Sequence, residues 1–145
     1  MSDAPPLPYL MNPPIAKPQD PSNQGRRRAR IRSIPTARRL EYANGYILLG
    51  MLHAAADELQ LIRAKDRAEP EVLELLMELY KSSRRWRRLV ATARQHAELW
   101  PGKKEGWVMW AQALRHSGRP TAARSVLRRG RALCRRCSGA KNSLA

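Results

Sequence analysis

The chain has 145 residues, about the length of one domain, which excludes an assembly of several independent cores. Its 28 Lys and Arg residues exceed its 12 Asp and Glu residues, and the net charge of +16 predicts attraction to polyanions without specifying a fold. Two cysteines are too few for a disulfide framework, and no apolar run reaches the roughly 18 residues of a membrane span, so we expect a cytoplasmic protein.

Residues 1–35 are rich in proline and end in a cluster of arginines that includes Arg26, Arg27 and Arg28. Each proline removes a backbone donor and disfavours helix at the residue before it. The arginines repel one another, which keeps this part of the chain extended. We therefore expect a disordered basic arm whose arginines contact polyanions.

From residue 36 the apolar residues have helical spacing, and Leu, Ala, Glu, Arg and Lys dominate the composition. Pro70 and Pro120 suit a first helical turn, whereas Gly50 and Gly118 suit the residue just past a helix end. The pattern predicts six helices, at residues 37–49, 53–65, 70–82, 86–99, 104–116 and 120–133.

The apolar pattern of this region repeats at a constant offset of 34 residues. Pairs at this offset include Leu73 with Trp107, Leu76 with Trp110, Met77 with Ala111, and Leu89 with Ala123. The offset equals the period of the tetratricopeptide repeat (TPR), which places two helices in about 34 residues. The motif positions of the third period are occupied by Trp107, Trp110, Ala111, Leu114, Gly118, Ala123, Leu127 and Gly130. Residues 36–135 therefore resemble the TPR family, with Arg84 in place of a turn glycine as one departure.

The resemblance implies an all-α fold, an α-solenoid of three TPR helix pairs in a right-handed superhelix. The pairs would occupy residues 36–69, 70–103 and 104–137, and a short polar tail would cover residues 136–145. The first helix of each pair in this family lines a concave groove that binds other proteins. The resemblance assigns to that groove Asn44, Leu48, Glu74, Glu78, Lys81, Glu105, Val108, Gln112 and Arg115.

A groove of this kind predicts a protein–protein interaction scaffold. The partner segment would carry basic and apolar side chains, received by Glu74, Glu78 and Glu105 beside Leu48 and Val108. The alternative is that these glutamates form an ordinary solvated helix face.

Nonspecific RNA or DNA binding is the alternative function, through the basic arm and a basic convex face. That face would present Arg84, Arg85, Arg87 and Arg88 around Trp86, with cations on phosphates and the indole on a base. The repeat offers Trp86 a second role, since the motif uses an aromatic residue there to pack the turn against the neighbouring helix. We favour the packing role.

Neither a cofactor nor catalysis is indicated. Cys134 and Cys137 have the spacing of half a zinc site, but two further ligands would be required and no second cysteine pair exists, so we expect reduced thiols. The sequence has no glycine-rich phosphate loop, nucleophile elbow or HExxH helix, so we expect a protein that is not an enzyme. Val126, Leu127 and Leu133 leave the last helix with an apolar edge, which predicts a homo-oligomer or a partner there.

Overall fold

The computed structural model describes residues 34–142, and side chains up to residue 139. These residues form an all-helical unit, and no β-strand occurs among them. The helices are α1 (Thr36–Leu48), α2 (Leu52–Gln60), α3 (Pro70–Ser82), α4 (Trp86–Leu99), α5 (Lys104–His116) and α6 (Pro120–Asn142), with a 3-10 turn at Ala64–Asp66. None of the described helices is long and apolar enough to cross a bilayer. The expected arm, with Arg26, Arg27 and Arg28, lies outside the described residues apart from positions 34 and 35.

Helices α3, α4 and α5 begin and end at the predicted residues, whereas α2 ends at Gln60, before the predicted residue 65. The early end of α2 is caused by a side chain that follows the helix and reaches back to it. The Arg67 guanidinium donates to the main-chain oxygens of Gln60 and Ile62, both at 3.1 Å, and so satisfies carbonyls that a longer helix would have used. The Ile62 side chain is buried at this bend and fixes the chain direction.

Helix α6 continues beyond residue 133, where the sequence pattern placed its end, to Asn142. Most of the segment expected as a polar tail, residues 136–145, is therefore helical. Residues 134–142 contain no proline, and Cys134 and Cys137 pack against the loop before α5. The Cys134 thiol donates to the main-chain oxygen of Pro101 at 3.5 Å, and a methyl group added to Gly102 would lie 3.1 Å from Cys137 Cβ.

The turn from the first to the second helix of each pair has the same backbone geometry three times. Its left-handed residue is Gly50 (φ 73°), Arg84 (φ 54°) or Gly118 (φ 74°), at equivalent positions of the three periods. The next amide donates to a carbonyl five residues earlier, from Met51 to Tyr46, Arg85 to Tyr80 and Arg119 to Leu114, each at 2.8 Å. This is the Schellman arrangement, which satisfies helix-end carbonyls and reverses the chain.

Arg84 adopts a conformation that glycine occupies at the two equivalent positions. A side chain with a Cβ is strained there, and the strain costs about 1 kcal/mol relative to glycine. Only Arg84 has a positive φ among the non-glycine residues that the structure describes.

The helices pack in pairs through small buried residues. Ala43 and Ala55 are buried where α1 meets α2, and Ala111 and Ala123 are buried where α5 meets α6. Helix α3 contacts α4 and also α1 and α5, so the first helices of the pairs touch in series. The consequence is a core that runs from pair to pair.

Asp66 ties the start of α1 to the 3-10 turn. Its carboxylate accepts from the Thr36 hydroxyl at 2.6 Å and from Arg63 at 2.9 and 3.0 Å. The hydrogen bond from Thr36, and then Arg63, hold the pKa of Asp66 below its ordinary value of 3.8 although burial opposes this. The Asp66 carboxylate therefore stays ionised at neutral pH and keeps its contacts to Thr36 and Arg63.

Two glycines permit the closest approach of neighbouring helices. A methyl group at Gly130 would lie 2.6 Å from Cγ of the Trp107 indole, and one at Gly106 would lie 2.9 Å from the main-chain nitrogen of Ala97. Both contacts are shorter than van der Waals separation, so only glycine fits these positions without a shift in the packing.

Replacement of glycine by alanine should therefore have opposite effects at two helical positions. Gly45 has nothing within 4 Å of an added methyl group, so Gly45→Ala should raise the free energy of unfolding by about 0.5–1 kcal/mol through helix propensity. Gly130→Ala should lower it by about 2 kcal/mol, because overpacking against Trp107 outweighs that gain. Urea denaturation followed by circular dichroism measures both, and equal stability of the two variants would contradict the close packing.

Candidate binding surfaces

The exposed side chains of α1, α3 and α5 form a surface that we call the groove surface. It contains the nine residues predicted to bind a partner. Asn44, Leu48, Glu105, Val108 and Arg115 are exposed, whereas Glu74, Glu78, Lys81 and Gln112 are partly exposed. The structure thus places all nine on the first helices that contact one another in series.

Glu74 is engaged within the protein. Its Oε1 atom lies 3.3 Å from Nε2 of His96 and accepts from the Lys103 ammonium at 3.2 Å. A carboxylate only accepts hydrogen bonds, so the contact assigns the ring proton to Nε2. His96 is fully buried, its Nδ1 has no described partner, and its ring lies against the glycine at position 106. Glu74 therefore holds α3 to α4 and to the segment before α5.

The other charges of the groove surface are partly neutralised. Glu78 pairs with Lys81 one turn along α3, at 3.4 Å, whereas Glu105 and Arg115 form no ion pair with a described residue. Two of the three glutamates expected to receive basic side chains, Glu74 and Glu78, thus already have partners within the protein. Two large apolar side chains also remain open on this surface, because Leu48 is 79% exposed and Val108 is 50% exposed.

Trp86 stacks on His116, with ring centroids 4.0 Å apart and planes inclined by 6°. Trp86 is half-buried and also packs against the cluster that contains Met77 and Leu89. One face of the indole is therefore covered, which fits the packing role better than stacking on a base. The stack also fixes the start of α4 to the end of α5.

The four arginines around Trp86 are exposed and form no ion pair with any residue described in the structure. Two of them, Arg85 and Arg88, border a cleft of about 440 Å³ between α2 and α4, which we call the α2–α4 cleft. Its floor is apolar and comes largely from α3. The sequence carries no signal for this cleft, since its walls are brought together only by the packing of three helices.

A second basic feature lies on α6. Arg124, Arg128, Arg131 and Arg135 line a depression of about 510 Å³ on one side of this helix, and we call them the α6 arginine row. The sequence carried a signal for it, because the spacing of four, three and four residues puts all four on one helix face. The sequence also contains no Asp or Glu after Glu105 to neutralise them.

The environment of Cys134 affects the reactivity of its thiol. Burial raises the pKa of the Cys134 thiol, and Cys137 and Glu105 raise it further. The Cys134 thiol therefore stays protonated at neutral pH, which lowers its reactivity as a nucleophile. Within residues 34–139, no three His, Cys, Asp or Glu side chains are grouped so that they could hold a metal ion.

Glu74 and Glu78, two of the three glutamates of α3, should respond very differently to charge reversal. Glu74→Lys would set an ammonium group against Lys103 and the Nε2–H of buried His96, and should lower the free energy of unfolding by about 2 kcal/mol. Glu78→Lys is the matched control, because its side chain has similar exposure but pairs only with Lys81, and the change should stay within about 0.5 kcal/mol. Thermal unfolding compares the two, and equal melting temperatures would refute the structural role of Glu74.

Comparison of the chain with models of protein families, with curated protein sequences and with solved structures gives no match. The resemblance to the TPR family therefore rests on the constant offset and the motif positions in the sequence. The recurrence of one turn geometry at residues 50, 84 and 118 has the same period.

Proposed function

We propose that this chain is a helical-repeat scaffold, similar to TPR proteins, that binds a segment of another protein on the groove surface. In this proposal three helix pairs, at residues 36–69, 70–103 and 104–137, stack in a right-handed superhelix. It is a cytoplasmic binding protein and not an enzyme. The observation that carries the proposal is the serial contact of α1, α3 and α5, with large apolar side chains left open on two of them.

The internal ion pairs refine the chemistry of the expected partner. A segment rich in cations would find Glu74 already held by His96 and Lys103, and Glu78 already paired with Lys81. Apolar side chains would find Leu48 and Val108 uncovered, and burial of apolar area is the main source of affinity in such contacts. We therefore expect apolar anchors in the partner, with Glu105 contributing one charge contact.

Two aspartates placed on the groove surface should abolish partner binding. Leu48→Asp with Val108→Asp should leave the fold intact, because both side chains are exposed, while removing the apolar contact. Leu61→Asp with Leu99→Asp is the matched control, because these leucines are 47% and 50% exposed and lie outside the first helices. The measurement is affinity capture from a lysate of the source organism, after nuclease treatment, with identification by mass spectrometry.

The proposal requires proteins that the wild type and the control retain and that the groove variant loses. Identical captured sets for the two variants would show that the groove surface is not the binding site. Loss of all captured protein after nuclease treatment would favour the second candidate function.

Nonspecific nucleic-acid binding is the second candidate function. The observation that favours it is the α6 arginine row, which spans about 16 Å of helix and has no neutralising carboxylate after Glu105 in the sequence. Together with the arginines at positions 26–28 and around Trp86, it would contact phosphates. Nucleic-acid binding predicts a steep dependence of affinity on salt concentration, which binding through apolar side chains does not predict.

If this function holds, the logarithm of the affinity for a labelled oligouridine should fall linearly with the logarithm of salt concentration. Arg124→Glu with Arg128→Glu should then make the slope shallower by roughly 0.7 for each phosphate that is no longer bound. Fluorescence anisotropy over a salt series measures this. A slope unchanged by these substitutions would exclude the α6 arginine row as a phosphate site.

A homo-oligomer through α6 also stays a prediction. Val126 and Leu127 are partly buried against the core of the third pair, so the edge is less apolar than the sequence indicates. Two copies meeting there would bring the arginines of the row together, and their repulsion opposes the contact.

A further inference from the structure

The α2–α4 cleft combines an apolar floor with a cationic rim. Leu59, Val72 and Leu79 are buried at its base, and Leu76 and Tyr80 of α3 are partly exposed within it. Its volume of about 440 Å³ falls in the range of pockets that hold a ligand or the side chains of a peptide. None of the nine groove residues lines this cleft, so it is a separate surface.

The charges on the rim favour an anion. Arg85 and Arg88 are exposed and form no ion pair with a described residue. The third arginine of the lining, Arg67, donates to two main-chain oxygens but keeps its charge. Asp57 is the one carboxylate that lines the cleft, beside the imidazole of His53. The rim is therefore positive, and carboxylates accept well from guanidinium groups.

Arg84 adds a second, independent observation. It adopts the left-handed conformation that glycine takes at both equivalent turns, although glycine there would relieve the strain. Arg84 itself does not line the cleft, but it precedes Arg85, which does, and so puts one more cation next to the rim. Both residues lie at the start of a helix that the stack of Trp86 on His116 holds in place. Strained backbone of this kind is characteristic of binding sites.

We propose that the α2–α4 cleft binds an acidic segment of a partner protein, with one or two bulky apolar side chains inserted between α2 and α4. Carboxylates of the segment contact Arg84, Arg85 and Arg88. A nucleic acid explains the cations less well, because phosphates would bind the α6 arginine row equally and would make no use of the apolar floor. The proposal goes beyond binding on the groove surface and does not depend on it.

The test uses the full chain and a phage-displayed library of random linear peptides. We expect the enriched peptides to place Asp or Glu beside Leu, Ile or Trp. Arg85→Glu with Arg88→Glu should weaken the binding of an enriched synthetic peptide by about tenfold or more, measured by fluorescence anisotropy. Arg124→Glu with Arg128→Glu is the control with the same change in net charge, and should weaken it by no more than about twofold.

Two further variants separate this cleft from a general effect of charge or stability. Ala56→Leu narrows the cleft from α2 and should weaken peptide binding while all arginines remain. Arg84→Gly should raise the melting temperature, because it removes backbone strain, and yet weaken peptide binding. A purely structural role of Arg84 would leave the affinity unchanged.

Several results would overturn the proposal. They are the failure to enrich any peptide, enrichment of peptides without acidic residues, and equal weakening by the charge reversals on the cleft and on α6. Oligouridine binding that responds to Arg85→Glu and Arg88→Glu but not to Ala56→Leu, in the absence of enriched peptides, would assign these arginines to nucleic acid. Loss of peptide binding in the Leu48→Asp and Val108→Asp variant alone would place the peptide on the groove surface instead.

Discussion

The constraint on which the rest of this structure depends is the left-handed residue that closes each first helix. Its backbone directs the following amide to a carbonyl five residues earlier, and the same hydrogen bond occurs after Tyr46, Tyr80 and Leu114. Because the turn is the same each time, the second helix returns along the first in the same way. Small residues at the contacts, such as Ala43 and Ala123, then allow the backbones to approach. Repetition of this local geometry brings the first helices into contact with one another.

The features that the sequence predicts well are those set by local chemistry. The start of α3 follows from a proline in its first turn, Pro70, and the end of α5 follows from a left-handed glycine just past it, Gly118, both of which act within a few positions. The end of α2 is different, because it depends on Arg67, which reaches back to carbonyls five and seven residues earlier. The length of α6 depends on the packing of its cysteines against Pro101 and Gly102, which lie before α5 and are distant in the sequence. No periodic pattern carries that information.

The distinction between local chemistry and contacts between distant residues also applies to the candidate binding surfaces. The resemblance to the TPR family assigns the nine groove residues to the first helices, and all nine are at least partly exposed. Spacing could not show that Glu74 is held by His96, on the next helix, or that Lys103 joins the same carboxylate. Identical residue types on one helix face therefore have different roles, because Glu78 meets only its own neighbour. The α2–α4 cleft was beyond prediction for the same reason, since it exists only where three helices meet.

Helix α3 contributes residues to both the groove surface and the α2–α4 cleft. Its rigidity therefore determines whether a ligand on one surface affects the other. One of its faces carries Glu74 and Glu78 on the groove surface, and another carries Val72, Leu76 and Leu79 into the floor of the α2–α4 cleft. A ligand couples two sites only if it shifts an element between two arrangements. Helix α3 is fixed on several sides, by α1, by α4, by α5 and by the Glu74 contacts to His96 and Lys103. If a segment binds each surface as proposed, occupation of one should therefore leave the other unchanged, and both segments would be held at once.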